Sequence, residues 1–205
     1  GSHGKVGGKG AGLILAARVL AASEEDRELL APIRVPKTWY VASDGLVSFI
    51  HHNNLEEVYN RKYMEIERVR QDYPMVVQVF KNSRFPPEVT AGLSAALDDF
   101  RDRPIIIRSS SLLEDRFGAS FAGKYKSLFL ANQGPKTERM AALQDAIAEI
   151  YASVFGPEPI QYRAERDLLH FNEEMGILIQ EVVGRRVGRY HTPAFAGVAF
   201  SSNEF

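Results

Sequence analysis

Cysteine is absent from this 205-residue chain. Without cysteine the chain forms no disulfide bond and offers no thiolate for nucleophilic catalysis or metal binding. The absence suits a reducing compartment, where disulfides are rare, although secreted proteins can lack cysteine as well. We therefore expect a cytoplasmic location.

Long apolar runs and an excess of charge are also lacking. No apolar run approaches the roughly 18–20 residues that a membrane-spanning helix needs. The chain has 25 lysine and arginine residues against 26 aspartate and glutamate residues, a formal net charge of −1. No basic tail or basic–aromatic patch marks a nucleic-acid surface. The sequence thus predicts neither a membrane nor a nucleic-acid partner, and it leaves the oligomeric state open.

The residues that are present can build a folded domain. With 45% hydrophobic residues over 205 positions, the chain can bury a sizeable core. Separate helix and strand patterns predict an α+β fold with α/β layers. Residues 1–3 are interpreted as the remnant of an expression tag. The domain then comprises residues 4–205, with a mainly helical scaffold at 43–103 and a strand-rich part at 104–205. Within the scaffold, Pro74 is expected to break a helix.

The stretch Ile105–Leu130 carries the clearest pattern. Its first three residues are isoleucines, which predict a buried strand, and that strand delivers the cation of Arg108 to a loop that starts with three serines. Small residues around Gly123 allow backbone N–H groups to approach an anion closely. Alternation then returns and places Ser127 on a second strand. A small-residue flap between two strands, with an arginine beside it, indicates a polyphosphate ligand.

Near the N-terminus, glycines surround Lys9 ahead of an apolar segment. Leu13–Leu20 has helical composition without a polar face, so we expect a buried helix. Lys9 then lies at the N-terminus of that helix, where free amides and the helix dipole favour a phosphate oxygen. Gly10 follows Lys9, which excludes a Walker A loop, and no strand fits ahead of Gly4 for a dinucleotide fingerprint. A flexible glycine-rich start without a ligand is equally compatible with this segment alone.

The C-terminal part supplies a strand with polar residues. Met175–Val183 predicts a buried strand interrupted by Gln180 and Glu181. Those two residues either face solvent at the end of the strand or line a ligand pocket. Residues 184–191 indicate a polar connector, and 196–200 a last strand. Because no closing helix follows that strand, we expect the natural chain to continue further.

Five short motifs occur in a fixed order along the chain. They are Gly7–Leu13, Arg108–Ser111 with Glu114–Asp115, Ser120–Gly123, Gln180–Glu181 and Gly197–Ser201. In this order and spacing they resemble the N-terminal ATP-binding domain of phosphoenolpyruvate synthase and pyruvate, phosphate dikinase. Glucan, water dikinase and rifampicin phosphotransferase are similar in this region. The resemblance covers nearly the whole chain.

The resemblance implies an ATP-grasp-like fold, in which ATP lies between two α+β lobes and this chain supplies the N-terminal nucleotide-binding lobe. The resemblance implies that Lys9 and Arg108 hold the phosphates of ATP and that Gly123 and Ser127 belong to the loop that closes over them. It also implies that Gln180 lies near the adenine. Glu181 and Val183 would then belong to the hinge strand, where backbone groups recognise the base.

The resemblance also implies what this stretch does not contain. In the family, the carboxylates that hold Mg²⁺ lie beyond the point that matches Phe205, as do the swivelling domain with its phospho-accepting histidine and the barrel that binds pyruvate. ATP is therefore the expected ligand, with Mg²⁺ only in company with the following part. Lys124 and Ser127 stand where the family commonly has glutamine and threonine, so the loop chemistry is expected to differ in detail.

Three functions are compatible with the sequence. The first is the N-terminal ATP-binding portion of a phosphoenolpyruvate synthase-like phosphotransferase. Such an enzyme would use ATP to phosphorylate a histidine in a downstream domain and would pass the phosphate to pyruvate or a related acceptor, and this portion alone would be inactive. The second is a non-catalytic ATP-sensing or regulatory module. The third is a scaffold domain without a ligand, whose glycines only make turns.

Overall fold

The computed structural model describes residues 3–111, 125–171 and 174–198. Helices and strands occupy separate segments there, which confirms the predicted α+β class. The helices are α1 (Gly7–Ala22), α2 (Arg27–Leu30), α3 (Asp44–His52), α4 (Ile66–Lys81), α5 (Pro87–Phe100), α6 (Lys136–Ser153) and α7 (Pro157–Ala164), and a 3₁₀ helix spans Glu56–Tyr63. The strands are β1 (Thr38–Val41), β2 (Ile105–Ser111), β3 (Ser127–Leu130), β4 (Met175–Glu181), β5 (Arg185–Val187) and β6 (Tyr190–Thr192).

Four strands form one sheet in the order β1-β4-β2-β3, and every neighbouring pair is antiparallel. In the central pair, Ile105 lies opposite Glu181 and Ser111 lies opposite Met175. The sheet therefore places β1, from the first part of the chain, next to β4 near its end. The strands β5 and β6 form a separate two-stranded hairpin.

One face of the sheet is covered by helices, with α3 against β4 and α6 against β2. We call it the core face. The isoleucines at alternate positions of the two central strands, Ile105, Ile107, Ile177 and Ile179, are all buried there. Side chains alternate between the two faces of a strand, so this spacing puts all four on one side.

Aromatic rings join the helices of the core. The ring centroid of Phe49 lies 5.5 Å from that of Phe80, 4.8 Å from that of Phe85 and 5.6 Å from that of Tyr151. Phe49, Phe80 and Tyr151 belong to α3, α4 and α6, which are far apart in sequence. Tilted ring pairs add about 0.5–1.5 kcal/mol each to the free energy of burial. The cluster therefore fixes how three helices pack beneath the sheet.

The helix α4 continues through Pro74, so the predicted helix break is wrong. An interior proline removes one backbone hydrogen bond and costs about 3 kcal/mol. Val69 before it and Phe80 after it are both buried in the core. Burial of a large apolar side chain contributes about 1.5–3 kcal/mol, so the two together outweigh the cost of the proline.

The helix α1 forms as predicted, but the expectation that it is buried is wrong. Only Gly7 and Gly10 are buried in it, whereas Leu15 is 63% and Val19 is 54% exposed. The helix contacts β2 and β4, and the close contacts described below involve its first turn. Glycines allow that turn to approach the strands, and the apolar turns that follow are largely exposed.

Three other sequence-based expectations differ from the structure. The serines 109–111 belong to β2 and not to a loop, because each has a pairing partner on β4. The predicted connector contains the β5–β6 hairpin, whose turn is made possible by Gly188 at a φ of 62°. Ala196–Val198 lie in no strand, and the rest of the predicted last strand falls outside the described residues. None of the described helices has the length and apolarity of a membrane span.

Candidate functional site

The second face of the sheet carries the polar residues that the sequence singled out. In antiparallel strands, residues directly opposite each other share a face. Arg108 lies opposite Ser127 on β3 and opposite Leu178 on β4, and Gln180 lies two residues beyond Leu178. Arg108, Ser127 and Gln180 therefore share a face. We call it the α1 face, because the first turn of α1 packs on it; its members are Thr38, Tyr40, Ile106, Arg108, Ser110, Ser127, Phe129, Gly176, Leu178 and Gln180.

The first turn of α1 is held against this face by Ser110. The Ser110 hydroxyl donates to the carbonyl of Val6 at 2.7 Å and accepts a hydrogen bond from the backbone N–H of Gly10 at 3.1 Å. Gly7 has a φ of 73°, and a Cβ atom there would lie 2.1 Å from the Ser110 carbonyl oxygen. Gly7 is therefore required for a close approach of helix to strand, and the amide of Gly10 is occupied by a protein partner.

Lys9 lies in the same turn, next to the predicted phosphate arginine along β2. Its Nζ atom donates to the carbonyl of Ser109 at 3.1 Å. Ser109 directly follows Arg108 on the strand. The structure thus brings Lys9, from the N-terminal motif, to the residue that follows Arg108 on β2. In sequence, 98 positions lie between Lys9 and Arg108. Two cations from distant segments are the arrangement that spreads charge compensation over a polyphosphate.

Gln180 is buried and held in place by the neighbouring edge strand. Its side chain is 6% exposed, and its Nε2 atom donates to the Thr38 hydroxyl at 2.9 Å. That hydroxyl donates in turn to the carbonyl of Pro36 at 2.9 Å. A buried amide needs such partners, because an unpaired polar group in a core costs free energy. Of the two alternatives that the sequence left open for Gln180, exposure to solvent at the strand end is excluded.

Glu181 points to the opposite face, where its carboxylate joins three segments. It accepts the backbone N–H of Lys37 at 2.9 Å and forms an ion pair with Arg103 at 2.7 Å. Burial works to raise the pKa of Glu181, but the hydrogen bonds from the Lys37 amide and from Arg103 outweigh burial, so its pKa lies below the ordinary value. The side chain is thus committed to protein contacts, and a role in ligand binding is left to its backbone.

The end of β4 and the residues that follow it are the segment predicted to act as the hinge strand. The backbone N–H of Glu181 donates to the Lys37 carbonyl at 3.0 Å and that of Val182 to the Pro104 carbonyl at 2.9 Å. Val183 follows immediately and is 60% exposed. Two consecutive amides are therefore tied to neighbouring segments, while Val183 lies on the surface at the end of the sheet.

The flap between β2 and β3 lies outside the described residues, and with it Gly123, Lys124 and the acidic pair at 114–115. The described residue just before β3, Lys126, pairs with Glu149 of α6 at 2.6 Å, and Lys81 of α4 pairs with the same carboxylate at 2.8 Å. The sequence did not predict these ion pairs, which hold Lys126 next to Ser127. Nor did it predict that Ser110 holds the first turn of α1. Contacts between segments far apart along the chain leave no local pattern.

The described residues hold no group of three or more histidine, cysteine, aspartate or glutamate side chains that could bind a metal ion. The polar residues that the strands place on the α1 face carry a guanidinium, hydroxyls and an amide, all of which can donate hydrogen bonds to an anion, and none of them is a carboxylate. What this face offers chemically is charge compensation and hydrogen bonding for a phosphate-bearing ligand.

Comparison with known protein families gives a match over nearly the whole chain. The family described as "Pyruvate phosphate dikinase, AMP/ATP-binding domain" matches residues 3–205. The chain belongs to this family. The match shows the predicted ATP-grasp-like class of fold and an ATP-binding domain of the phosphoenolpyruvate synthase and pyruvate, phosphate dikinase group.

Three similar proteins are phosphoenolpyruvate synthases from bacteria. The one from Deinococcus radiodurans is 25% identical over 179 residues, which cover 83% of this chain and 21% of the relative. The one from Neisseria meningitidis serogroup B is 24% identical over 164 residues, or 74% of this chain and 20% of the relative. The one from Aquifex aeolicus is 23% identical over 168 residues, or 76% of this chain and 19% of the relative. The chain thus spans about a fifth of the length of these relatives.

Proposed function

We propose that residues 4–205 are the N-terminal ATP-binding portion of an ATP-dependent phosphotransferase of the phosphoenolpyruvate synthase type. The observation that supports it best is that residues from three segments lie close together around Arg108 on β2. Arg108 and Ser127 are direct cross-strand partners, and Lys9 bonds to the residue after Arg108. Residues of two family motifs therefore lie at neighbouring positions along β2, and we propose that their cations bind the same anion.

In this proposal the protein supplies position and charge. Phosphoryl transfer has little covalent chemistry for the protein to perform, so catalysis depends on alignment and electrostatic stabilisation. Lys9 and Arg108 bind the phosphates of ATP, and Ser127 and Gly123 belong to the segment that covers them. Gln180 lies near the adenine, and the backbone around Glu181 and Val183 recognises the base. Mg²⁺, held by residues of the following part, would supply further charge compensation.

The complete reaction needs domains that this chain does not contain. The phosphate of ATP would be transferred to a histidine in a downstream domain and then to pyruvate or a related acceptor. The relatives' name, phosphoenolpyruvate synthase, supports only the choice of pyruvate as the acceptor. The chain by itself is proposed to be inactive in that transfer. A non-catalytic ATP-sensing module is the second candidate, because the α1 face alone provides binding groups without an acceptor.

Titration with ATP tests the site. We expect Arg108→Ala and Lys9→Ala each to weaken ATP binding about tenfold or more, since a hydrogen bond to a charged group contributes about 1.5–3 kcal/mol. Arg70→Ala, at an exposed arginine of α4, is the matched control and should bind ATP as the unchanged protein does. Equal affinity in all the variants would overturn the phosphate site.

Phosphorylation by labelled ATP separates the two candidates. The natural full-length protein should incorporate label into a histidine, and the label should be lost at acidic pH and pass to pyruvate or a related acceptor. ATP binding without any labelling would favour the sensing module. Absence of ATP binding would count against both.

A further inference from the structure

A groove accompanies β1, the edge strand of the sheet, and reaches Ile179 of β4 on the core face. It lies between β1, α3 and α5 and has a volume of about 510 Å³. Pockets that hold ligands commonly measure about 300–1,000 Å³. Its lining consists of Trp39, Tyr40, Val41, Ala42, Asp44, Gly45, Ser48, Glu88, Val89, Gly92, Leu93, Ala96 and Ile179. The proposed ATP residues are not among these, so the groove is a separate feature.

The groove follows the backbone of an edge strand. Four consecutive residues, 39–42, line it, although their side chains alternate between the two faces. The backbone N–H of Glu181 donates to the carbonyl of Lys37. The antiparallel pattern therefore directs the backbone groups of Trp39 and Val41 towards β4 and those of Thr38 and Tyr40 outwards. Within the described part of the chain, β1 has no strand partner on its outer side.

Small residues keep the groove open. Gly45 lies on the α3 side, and Gly92 and Ala96 lie on the α5 side. A Cβ atom added at Gly92 would meet no atom within 4 Å. Trp39 forms a fixed wall, because its indole Nε1–H donates to Asp99 at 2.9 Å. The space is therefore preformed.

The charged residues of the lining favour a positively charged ligand. Asp44 and Glu88 are its charged residues, and no lysine, arginine or histidine of the described chain lines it. The Asp44 carboxylate accepts a hydrogen bond from the backbone N–H of His3 at 2.9 Å. Glu88 is therefore the carboxylate on which we base the charge preference.

Val89 and Leu93 add apolar surface along the α5 side. A lysine or arginine side chain fits both properties, because its aliphatic stem packs on apolar surface while its charged head can lie beside the Glu88 carboxylate. The indole of Trp39 offers a ring face for the same cation.

We propose that this groove is a docking site for an extended, basic segment of a partner protein. The segment adds to β1 as a further strand and places a lysine or arginine between α3 and α5. Strand addition uses backbone hydrogen bonds for affinity and a side-chain pocket for specificity. The outward backbone groups of Thr38 and Tyr40 supply the hydrogen bonds, and the groove supplies the pocket.

Fluorescence of Trp39, the single tryptophan of the chain, reports on occupancy directly. The probe is a capped seven-residue peptide of alternating threonine and valine with a central lysine. We expect a saturable change in emission. A peptide with central glutamate should bind about tenfold more weakly or worse, and so should the lysine peptide with N-methyl groups on alternate amides, since each loses about 1.4 kcal/mol or more of interaction.

Variants of the groove locate the binding. Gly92→Leu fills the open space and should abolish the emission change, whereas Ala91→Leu, at an exposed position of the same helix, should bind as the unchanged protein does. Glu88→Gln should weaken the lysine peptide about threefold or more. Glu67→Gln, which removes the first-turn carboxylate of α4, is the matched control and should not weaken it.

Several outcomes would overturn the proposal. They are equal binding of lysine and glutamate peptides, tolerance of the N-methyl groups, or unchanged binding by Gly92→Leu with a native circular dichroism spectrum. Concentration-dependent dimerisation that disappears in Gly92→Leu would assign the groove to a second copy of this chain and would likewise overturn it.

Discussion

The two faces of the four-stranded sheet differ in what their side chains do. On the core face, residues such as Ile107 and Ile177 are buried under helices and contribute stability. On the α1 face, alternate residues of the same strands include Arg108 and Gln180, and the first turn of α1 covers only part of it. In each central strand, every second residue thus packs in the core, and the residues between them lie on the face of the proposed ligand site. Substitutions at adjacent positions should therefore have different consequences.

Adjacent isoleucines of β2 provide the largest contrast. Ile107→Ala leaves a cavity beneath the core face and should lower the free energy of unfolding by about 3–4 kcal/mol. Ile106→Ala, on the half-buried α1 face, should lower it by only about 1 kcal/mol. Chemical denaturation of both variants measures the difference. Equal losses would mean that the two faces are equally packed.

Two glycines of α1 test whether its first turn is fitted to the sheet. Gly7→Ala forces a side chain into a left-handed conformation and against the Ser110 carbonyl, and should cost about 2–3 kcal/mol of stability. Gly12→Ala in open space should raise stability by up to about 1 kcal/mol, because alanine favours a helix. Thermal unfolding of the pair is the measurement. A stable Gly7→Ala variant would contradict the close contact.

Ser110 shows that a polar residue of the α1 face can also be structural. Ser110→Ala removes the hydroxyl that bonds to Val6 and Gly10, and should cost about 1–2 kcal/mol. Ser83→Ala, at an exposed hydroxyl that donates to Val79, should change stability by less than about 0.5 kcal/mol. Urea denaturation compares the two. If Ser110→Ala also weakened ATP binding with little loss of stability, the hydroxyl would belong to the ligand site.

Glu181 gives the smallest effect and concerns pH. Its pKa is lowered in the folded protein, so the unfolded chain binds more protons in the acidic range and stability falls as the pH drops through about 4.3, the ordinary glutamate value, towards the lowered pKa. Glu181→Gln should flatten this part of the stability profile, below about pH 4.3. Denaturation midpoints at several pH values measure it. A profile unchanged by the substitution would show that the contacts with Lys37 and Arg103 do not favour the charged form.

Local sequence patterns were sufficient for most elements. The isoleucine run at 105–107 and the apolar segment Leu13–Leu20 each depend on neighbours along the chain, and a strand and a helix lie where those patterns place them. The predictions failed where contacts between distant segments outweighed local preference. Pro74 lies inside a helix because the core holds both sides of it. The serines of β2 belong to a strand because β4 pairs with them.

For the candidate site as well, the sequence predicted which residues are involved, and the fold was needed to show how they are arranged. The family motifs identified Lys9, Arg108, Ser127 and Gln180 as a set, and their roles with ATP are still predictions. That Arg108 and Ser127 are cross-strand partners and that Lys9 reaches Ser109 required the fold. The commitment of the Glu181 side chain to Arg103 and Lys37 also had no signal in sequence.

The sequence by itself determined the kinds of element, the fold class, the family and the cations available for phosphate, because these follow from residue type and spacing. Only the tertiary structure decided that the first turn of α1 packs on Ser110 while the rest of α1 is largely exposed, and that a groove accompanies β1. Those features depend on which segments become neighbours in space. Burial, strand pairing and ion pairs between positions far apart along the chain are settled by packing of the whole core, and no local run of residues encodes them.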